Sequence, residues 1–304
     1  MSGRICVLGA LHLDLTVDVE QLPKAGDTVI GSGLHLTPGG KGAAQAVAAA
    51  RLGREVDLIG VVADDGRGGD LRAALLEEGV GISGLVTREK GVTGVGLRAR
   101  LGSGESATVI ALGASGQLRP AEVESAAEAI REAGVLLAQL ELSDDVLLRG
   151  FELAQESDVT VVLNAAPRRD VDPEVLARVD VLICNRREGA RLVNENVDDV
   201  SDKGLARRLG ALGPKRVVLT RGEDGALGFD GERVVESPGF ASECADSTAA
   251  SDAFCGALAT AFAEGQRFED VLRTACAAAG LSSEVEGSFP SLPNREQLDA
   301  RLGD

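Results

Sequence analysis

Short runs of Val, Leu and Ile alternate along the chain with segments whose apolar residues recur at helical spacing. The apolar runs predict buried strands at Ile5–Gly9, Val56–Val62, Leu136–Leu140, Val159–Asn164, Val179–Cys184 and Arg216–Thr220. The helical spacing predicts helices at Gly42–Leu52, Leu71–Glu78, Pro120–Glu132, Asp144–Gln155, Pro173–Arg178, Asp202–Leu212, Ala249–Glu264 and Phe268–Ser282, with a last one after Pro293. Strands that alternate with helices of this length form parallel sheets covered by helices on both faces, so we expect a doubly wound α/β fold.

Two stretches, Leu15–Leu36 and Gly91–Ala111, interrupt this rhythm because they alternate apolar and polar residues without a helical segment. Such alternation is typical of strands with one solvated face. We expect the two stretches to pair as a small antiparallel sheet over the main one. No repeat, low-complexity linker or domain boundary is evident, so residues 1–304 are predicted to form one domain that includes this small sheet.

The composition narrows the class of protein. The chain has 304 residues, 44% of them hydrophobic, which is enough to bury a large core. Its formal net charge of −17 repels nucleic acid and anionic membranes, so neither is expected as a partner. No apolar run approaches transmembrane length. The stretch Ile5–Val17 is interrupted by His12 and Asp14, so it predicts a strand and not a signal peptide.

The five cysteines point to an intracellular protein. No two of them have CxxC spacing, and neither histidine forms a metal-ligand pattern with them. A zinc site or a disulfide framework is therefore not expected. Reduced thiols favour a cytoplasmic location.

A glycine-rich segment, Pro38–Gly53, opens the first predicted helix with the sequence PGGKGAAQAVAAARLG. Glycines before a helix let backbone N–H groups approach a polar ligand, and the helix N-terminus adds positive potential. The segment is not a Walker A loop, because GxxxxGKS/T would require its first glycine at His35 and a hydroxyl residue at Gly42. By itself the segment is equally consistent with a structural turn.

A second segment, Ala245–Phe254 (ADSTAASDAF), opens another predicted helix with small residues. The first N–H groups of a helix have no intrahelical acceptor, so they are free to hold an anionic group such as a phosphoryl. A carboxylate in the same turn, Asp252, is placed to accept the proton of an attacking hydroxyl. From this segment alone, Asp252 is equally well explained as a residue that stabilises the helix N-terminus.

Together the two segments resemble, in order and spacing, the signatures of the ribokinase/phosphofructokinase-B family. The first is similar to GGKGANQAVAAARLG of the ribokinase branch and the second to DTTGAGDAF or DTxAAGD. Further similarities follow in the family's order along nearly the whole chain. They are Gly9 to Asp14, LPKAGDT at Leu22–Thr28, Gln139–Glu141, Asn164–Pro167, Asn185 with Glu188, LTRGEDG at Leu219–Gly225, and GSFPSLP at Gly287–Pro293.

The resemblance implies the roles of the site residues. Asp252 would be the catalytic base, and backbone N–H groups of Ala249, Ala250, Ser251 and Asp252 would form an anion hole. The sugar hydroxyls would be held by Asp14, Gly39, Gly40, Lys41 and Glu141, with His12 in the same pocket. ATP would contact Asn185, Thr220, Arg221, Gly222, Gly225, Cys276 and Gly287. Mg²⁺ would be organised through water by Asn185 and Glu188, and K⁺ would be bound near Asp246. The small sheet would close over the sugar as a lid and pair two subunits.

Several positions differ from the family pattern. His12 and Ala44 replace asparagines of the sugar pocket, which predicts an altered sugar preference. Ser251 replaces a glycine before the catalytic aspartate, and strain or crowding there would weaken the anion hole. Cys276 stands near the expected adenine site, and Arg221 places a charge near the phosphates.

The resemblance implies MgATP-dependent phosphorylation of a primary hydroxyl, with conversion of D-ribose to ribose 5-phosphate as the first expectation. Two alternatives stay open at this point. One is a kinase for another sugar or a nucleoside, such as deoxyribose. The other is a homologue that has lost turnover and binds sugar or nucleotide as a sensor, for which Ser251 would be the sequence feature.

Overall fold

The computed structural model describes residues 3–102 and 105–303. Its strands are β1 (Ile5–Leu8), β2 (His12–Val19), β3 (Ser32–Gly39), β4 (Val56–Ala63), β5 (Leu85–Arg88), β6 (Thr93–Leu101), β7 (Ser106–Gly113), β8 (Val135–Gln139), β9 (Thr160–Asn164), β10 (Val181–Asn185), β11 (Arg216–Thr220), β12 (Ala226–Phe229) and β13 (Val234–Ser237). Its helices are α1 (Lys41–Arg51), α2 (Gly66–Glu77), α3 (Pro120–Ser125), α4 (Ala127–Arg131), α5 (Asp144–Gln155), α6 (Pro173–Ala177), α7 (Arg186–Leu192), α8 (Asp202–Gly210), α9 (Ala250–Ala263), α10 (Phe268–Ser283) and α11 (Arg295–Gly303).

The main sheet has nine strands in the order β13-β12-β11-β10-β9-β8-β1-β4-β5. Strands β11 to β5 in this order are parallel, and β12 and β13 add an antiparallel edge. The central strands are buried on both faces, which explains why their sequences are continuous apolar runs. The expected doubly wound, mostly parallel sheet is confirmed.

Two hydrophobic clusters cover the two faces of this sheet. Alternate residues of β1 divide between them: Ile5 and Val7 pack with α1, α9 and α10, whereas Cys6 and Leu8 pack with α5 and α8. Helices α1 and α9 approach so closely that a Cβ added to Gly256 would lie 2.5 Å from the Ala48 Cβ. This packing places the first turns of α1 and α9 beside each other.

A separate sheet of four strands, in the order β3-β2-β6-β7, stands beside the main one. It confirms the expected small sheet, but the sheet is mixed rather than antiparallel, because β2 and β6 pair in parallel. The strands also extend past the predicted bounds, starting at His12 and ending at Gly39 and Gly113. Pairing between strands far apart in sequence carries no local signal, so the alternation pattern could not reveal its direction.

The small sheet has two chemically different faces. Asp14, Thr16, Thr37, Arg98 and Arg100 line a cavity between this sheet and the loops of the main body. On the opposite face, the strand register aligns Leu36, Leu15, Leu97 and Val109 in one row across all four strands.

Three strands, β5, β12 and β13, were not predicted, and the helix expected at Pro120–Glu132 is divided at Ala126 into α3 and α4. The unpredicted strands are only four residues long, too short for a periodic pattern to stand out. No helix in residues 3–102 or 105–303 is long and apolar enough to cross a membrane.

Candidate active site

The site forms where β1 and β8 lie side by side and the strand order of the main sheet changes direction. The chain after β1 approaches α1 with almost no space between the backbones. A Cβ on Gly9 would lie 2.4 Å from the Gln139 Oε1 and 2.5 Å from the Gly42 Cα. Glycine at position 9 therefore lets the N-terminus of α1 reach the end of the central strands.

The pair Gly39–Gly40 joins the small sheet to α1. Gly40 has a φ of 92°, and a Cβ there would lie 2.6 Å from the Ala10 carbonyl oxygen. A Cβ on Gly39 would lie 2.3 Å from the Asp14 Oδ2. The carboxylate of Asp14 thus rests against bare backbone, as a glycine pair allows and any side chain would prevent.

The α1 N-terminus brings Lys41 into a cluster of carboxylates. The Lys41 backbone N–H donates to the Glu141 Oε2 at 3.2 Å. Burial alone would lower the pKa of the Lys41 ammonium, but the neighbouring carboxylates of Asp252, Glu141 and Glu188 raise it above its ordinary value. Lys41 therefore stays protonated in a partly buried position.

In the carboxylates of this cluster, burial has a larger effect on the pKa than the neighbouring charges have. Burial raises the pKa of Asp252 and of Glu141, and the positive charge of Lys41 opposes the rise at both positions. Asp252 is buried in the first turn of α9. A carboxylate whose pKa is raised by burial is a better proton acceptor than an exposed one.

Gln45, which was assigned no role from the sequence, contacts Asp252 directly. Its Nε2 donates to the Asp252 Oδ1 at 2.9 Å, and its Oε1 accepts from the Gln139 Nε2 at 2.8 Å. The three side chains come from α9, α1 and β8 and are all buried. The sequence did contain a signal for Gln45, because it stands four residues after Lys41 and residues at i and i+4 lie on the same face of a helix.

The start of α9 provides donors next to Asp252. The Ala250 N–H donates to the Ser247 carbonyl at 3.3 Å, and the Asp252 N–H donates to the Ala249 carbonyl at 3.0 Å. In the described part of the chain, the N–H groups of Ala249 and Ser251 donate to no carbonyl oxygen. The resemblance implied four N–H groups for the anion hole, and these two are the ones that are free to donate to a ligand.

The expected strain at Ser251 is not present. Positive φ values among the described non-glycine residues occur at Asp158 and Asn194, and Ser251 lies in the helical first turn of α9 with its side chain exposed. The expectation assumed that the glycine of the family motif adopts a left-handed backbone here. Since the helix begins one residue earlier, at Ala250, serine fits without that cost.

Several polar atoms in the part of the site expected to hold the sugar are buried without a partner in the described residues. They include the Nδ1 of His12 and the Oε1 of Glu141. The His12 Nε2 lies 3.2 Å from the Asp14 Oδ1. Buried groups of this kind are costly unless something pairs with them, so they point to a ligand with hydroxyl groups. Ala44, by contrast, packs in the hydrophobic core cluster.

A turn after β11 contains the residues expected near the ATP phosphates. Gly222 has a φ of 62° and Gly225 a φ of 85°, and a Cβ on Gly225 would lie 2.2 Å from the Ser237 carbonyl oxygen. Thr220 ends β11 beside this turn. The guanidinium of Arg221 does not extend from the turn, because it lies 3.0 Å from Glu236 and 3.8 Å from Asp202.

Asn185 and Glu188 form the N-terminal cap of α7. The Asn185 Oδ1 accepts from the Glu188 N–H at 2.9 Å, and the Glu188 Oε2 accepts from the Asn185 N–H at 2.8 Å. Burial raises the pKa of Glu188, and its charge acts on Lys41. Within the described residues no group of three or more His, Cys, Asp or Glu side chains is arranged to hold a metal ion.

The remaining predicted residues lie around α10. Cys276 is buried in the core cluster, where burial raises the pKa of its thiol. Gly287 has a φ of 96°, and its N–H donates to the Asp246 Oδ2 at 3.1 Å. The structure thus brings together the Asp14, Lys41, Glu141 and Asp252 group, whereas Ala44 and Cys276 belong to the core.

A buried carboxylate and a helix end with free donors, in a cleft beside a small sheet, suit a phosphotransferase that acts on a hydroxyl group. Residues 2–295 match the pfkB family carbohydrate kinases, and the chain belongs to this family. It is therefore a carbohydrate kinase.

Known proteins resemble the chain over almost its whole length. The ribokinase of Bacillus subtilis (strain 168) is 34% identical over 301 residues, which cover 98% of this chain and 99% of that protein. The deoxyribokinase of Salmonella typhi is 29% identical over 303 residues, covering 98% of each. The structure of the Arabidopsis thaliana ribokinase in complex with ribose and ATP superimposes with a TM-score of 0.90 at 28% identity, covering 99% of both chains.

Proposed function

We propose that the protein transfers the γ-phosphoryl group of ATP to the primary hydroxyl of a sugar, with D-ribose as the acceptor and ribose 5-phosphate as the product. The observation that carries this proposal is the buried Asp252, which faces Lys41 at the free N-terminus of α9. The B. subtilis and A. thaliana ribokinases support ribose as the sugar.

Asp252 acts as the base in the proposed mechanism. Its carboxylate takes the proton of the sugar hydroxyl as that oxygen forms a bond to the γ-phosphorus, and the bond from this phosphorus to the β,γ-bridging oxygen breaks to release ADP. The N–H groups of Ala249 and Ser251 hold the phosphoryl oxygens as negative charge moves across them. Lys41 adds a fixed positive charge close to the reacting atoms.

The sugar hydroxyls pair with the buried polar atoms that lack partners. Glu141 accepts through its Oε1, Asp14 through its carboxylate, and His12 donates or accepts through its Nδ1. The glycines Gly39 and Gly40 let the backbone pack against the Asp14 carboxylate and the chain after β1, which fixes the position of these groups. Each carboxylate can accept more than one O–H bond, which suits a ligand with several hydroxyls.

ATP is proposed to lie over the turn after β11, with its phosphates along Thr220, Gly222 and Gly225 and its adenine near Cys276 and Gly287. Arg221 contributes to this region by fixing the turn through Glu236, rather than by a direct contact.

Asn185 and Glu188 fit a magnesium ion held mainly through water. They present hard oxygen donors, and the α7 cap uses only one carboxylate oxygen of Glu188. When bound with ATP, Mg²⁺ neutralises part of the phosphate charge. The role of the two side chains is to orient water around that complex, next to Lys41.

The potassium ion expected at Asp246 fits the structure poorly. The Asp246 Oδ1 accepts from the Thr248 N–H at 2.9 Å and from the Thr248 hydroxyl, and its Oδ2 accepts from the Gly287 N–H. A guanidinium nitrogen of Arg100 also lies 3.7 Å from the Oδ2. No step of the proposed mechanism depends on potassium.

A second acceptor, 2-deoxyribose, is favoured by one feature of the site. His12 stands where the ribokinase branch has asparagine, and a deoxyribokinase is among the relatives. A site that pairs a hydroxyl strongly rejects the analogue that lacks it. The ratio of kcat/KM for ribose and deoxyribose therefore reports whether His12 has changed the pocket.

The test is an ATP-consumption screen over pentoses, hexoses, deoxysugars and nucleosides with Mg²⁺ present. Ribose with a KM within the usual range of about 1 μM to 1 mM would support the proposal. Turnover of a nucleoside but of no free sugar would contradict it. Binding of sugar without any ATP consumption would instead identify a sensor.

We further propose a homodimer formed through the small sheet, in the cytoplasm. The outward face of this sheet exposes Leu36, Leu97 and Val109 by 59%, 54% and 69%, a row that a second copy could cover. The cytoplasmic location is proposed because the five cysteines are free in this structure, and free thiols suit a reducing compartment.

A further inference from the structure

The carboxylate of Asp246 is buried directly before the donors of α9. Its side chain is 7% exposed. It fixes the turn 246–248 through the Thr248 N–H, and it holds Gly287 on the neighbouring loop. A buried carboxylate requires a compensating cation to remain ionised at low cost.

Two arginines of strand β6 reach this turn from the small sheet. Arg98 donates from Nη1 to the hydroxyl of Thr248. The Nη1 of Arg100 lies 3.7 Å from the Asp246 Oδ2 and 3.4 Å from the Glu286 Oε2. Arg98 and Arg100 are two residues apart on one strand and so point to the same face.

Arg100 is held in this position from its own sheet. Its Nε donates to the Asp18 Oδ1 at 2.8 Å, and the other Asp18 oxygen lies 3.0 Å from the His35 Nε2. The Arg100 side chain is 17% exposed. Its guanidinium is therefore a fixed charge placed between Asp18 of the small sheet and Asp246 of the main body.

We propose that Arg100 supplies the positive charge that a bound monovalent cation would supply to Asp246, so that the kinase works without potassium. A potassium ion on the Asp246 carboxylate would lie close to this guanidinium. Two like charges held at such a short distance repel one another, and they do so more strongly near a protein surface than in bulk water. The resident arginine therefore disfavours the ion.

The arrangement also links the small sheet to the reaction. Asp246 and Thr248 precede the two free N–H donors, Ala249 and Ser251, by a few residues. Because Arg98 and Arg100 both belong to β6, the small sheet contributes the cationic side chains that lie against this turn.

The proposal rests on the proposed kinase activity, and it is tested in potassium and choline chloride at equal ionic strength. Wild-type kcat/KM is expected to change by less than about twofold between the two salts. Arg100→Gln is expected to lose about tenfold or more in choline, since the Asp246 carboxylate loses its neighbouring positive charge, and to recover in potassium. Arg267→Gln, an exposed arginine away from the site, serves as the matched charge control.

A second measurement does not depend on turnover. Potassium should raise the Tm of Arg100→Gln relative to choline and sodium, because it binds the folded state, and should leave the wild-type Tm unchanged. A specific rise of the wild-type Tm or activity in potassium would overturn the proposal. So would an Arg100→Gln variant that matches wild type in choline or gains nothing from potassium.

The two proposals fail in different ways. If no sugar is phosphorylated in any salt, the proposed function is wrong, and the Tm comparison still decides whether Arg100 replaces the ion. If the sugar is phosphorylated only in potassium, the function stands and the role of Arg100 is wrong.

Discussion

At the scale of single residues, Asp252 is governed by two opposing influences. Burial raises its pKa, and the Lys41 charge and the Gln45 hydrogen bond lower it. Asp252→Asn removes the proton acceptor but keeps the size and burial of the side chain. We expect a loss of about 10²–10⁴ in kcat, with the Kd for ATP unchanged, measured by steady-state kinetics and calorimetry.

A matched control for that variant is Asp158→Asn, an acidic residue in a turn away from the site. The base assignment would be wrong if Asp252→Asn retained near wild-type turnover. If ATP binding were lost together with turnover, Asp252 would instead serve to shape the nucleotide site.

Gln45 acts on the reaction through Asp252. Its Nε2 hydrogen bond stabilises the charged carboxylate, so Gln45→Met should raise the pKa of Asp252 further. Since the base works only when deprotonated, the acid limb of the kcat/KM profile should move to higher pH, by about one pKa unit. The profile is measured from about pH 5 to about pH 9. The same measurement on Gln117→Met, which changes an exposed glutamine, serves as the control.

A loss of activity with no movement of the acid limb would show that Gln45 merely supports the packing of α1 on α9. The unshifted profile is what a purely structural role predicts, so the comparison separates the two.

At the scale of secondary-structure elements, one ion pair joins β5 to α3. Arg88 contacts both carboxylate oxygens of Glu122, and its Nη2 also donates to the Gln117 carbonyl at 2.7 Å. The Arg88 guanidinium, with smaller help from Arg119, lowers the pKa of the Glu122 carboxyl to about 2. This contact fixes an edge strand that has only four residues.

Glu122→Gln should lower the free energy of unfolding at pH 7 by about 1–2 kcal/mol. The folded-state pKa is depressed, so the stabilisation is fully present above the unfolded value of about 4.3 and is lost as the pH falls towards 2. In urea unfolding, the free energies of unfolding of wild type and Glu122→Gln should therefore become more similar as the pH is lowered. Glu124→Gln, which breaks a more exposed pair with Arg149, is the control. A constant difference at all pH values would contradict the assignment.

At the scale of the whole molecule, the exposed apolar row on the small sheet predicts a homodimer. Leu36→Glu or Val109→Glu would place a charge on the apolar row of the proposed interface and should convert a dimer to a monomer, measured by light scattering after gel filtration. Leu76→Glu, which alters an equally exposed leucine on α2, should leave the dimer intact. A wild-type protein that is monomeric at micromolar concentration would contradict the proposal.

The part of the candidate site around Lys41 and Asp252 could be located from the sequence, because it lies in two contiguous segments, whereas Asp14 and Glu141 lie elsewhere in the chain. Residues 39–45 and 246–252 each open a helix, and local rules place glycine, small residues and charges at helix N-termini. Gln45 and Arg100 were not predicted, since their partners Asp252 and Asp246 lie far away in the sequence. The expected strain at Ser251 was wrong because α9 begins at Ala250, so that Ser251 lies in its first turn and does not adopt a positive φ.

The sequence by itself determined the parallel centre of the main sheet, most of its helices and the helix starts that hold Lys41 and Asp252, because apolar period, glycine placement and helix starts are local properties of the chain. The tertiary structure alone decided the parallel pairing of β2 with β6, the shared environment of Lys41, Glu141 and Asp252, and the meeting of Arg100 with Asp246. These features depend on which distant segments pack together, and burial then sets the charge and pairing of each group.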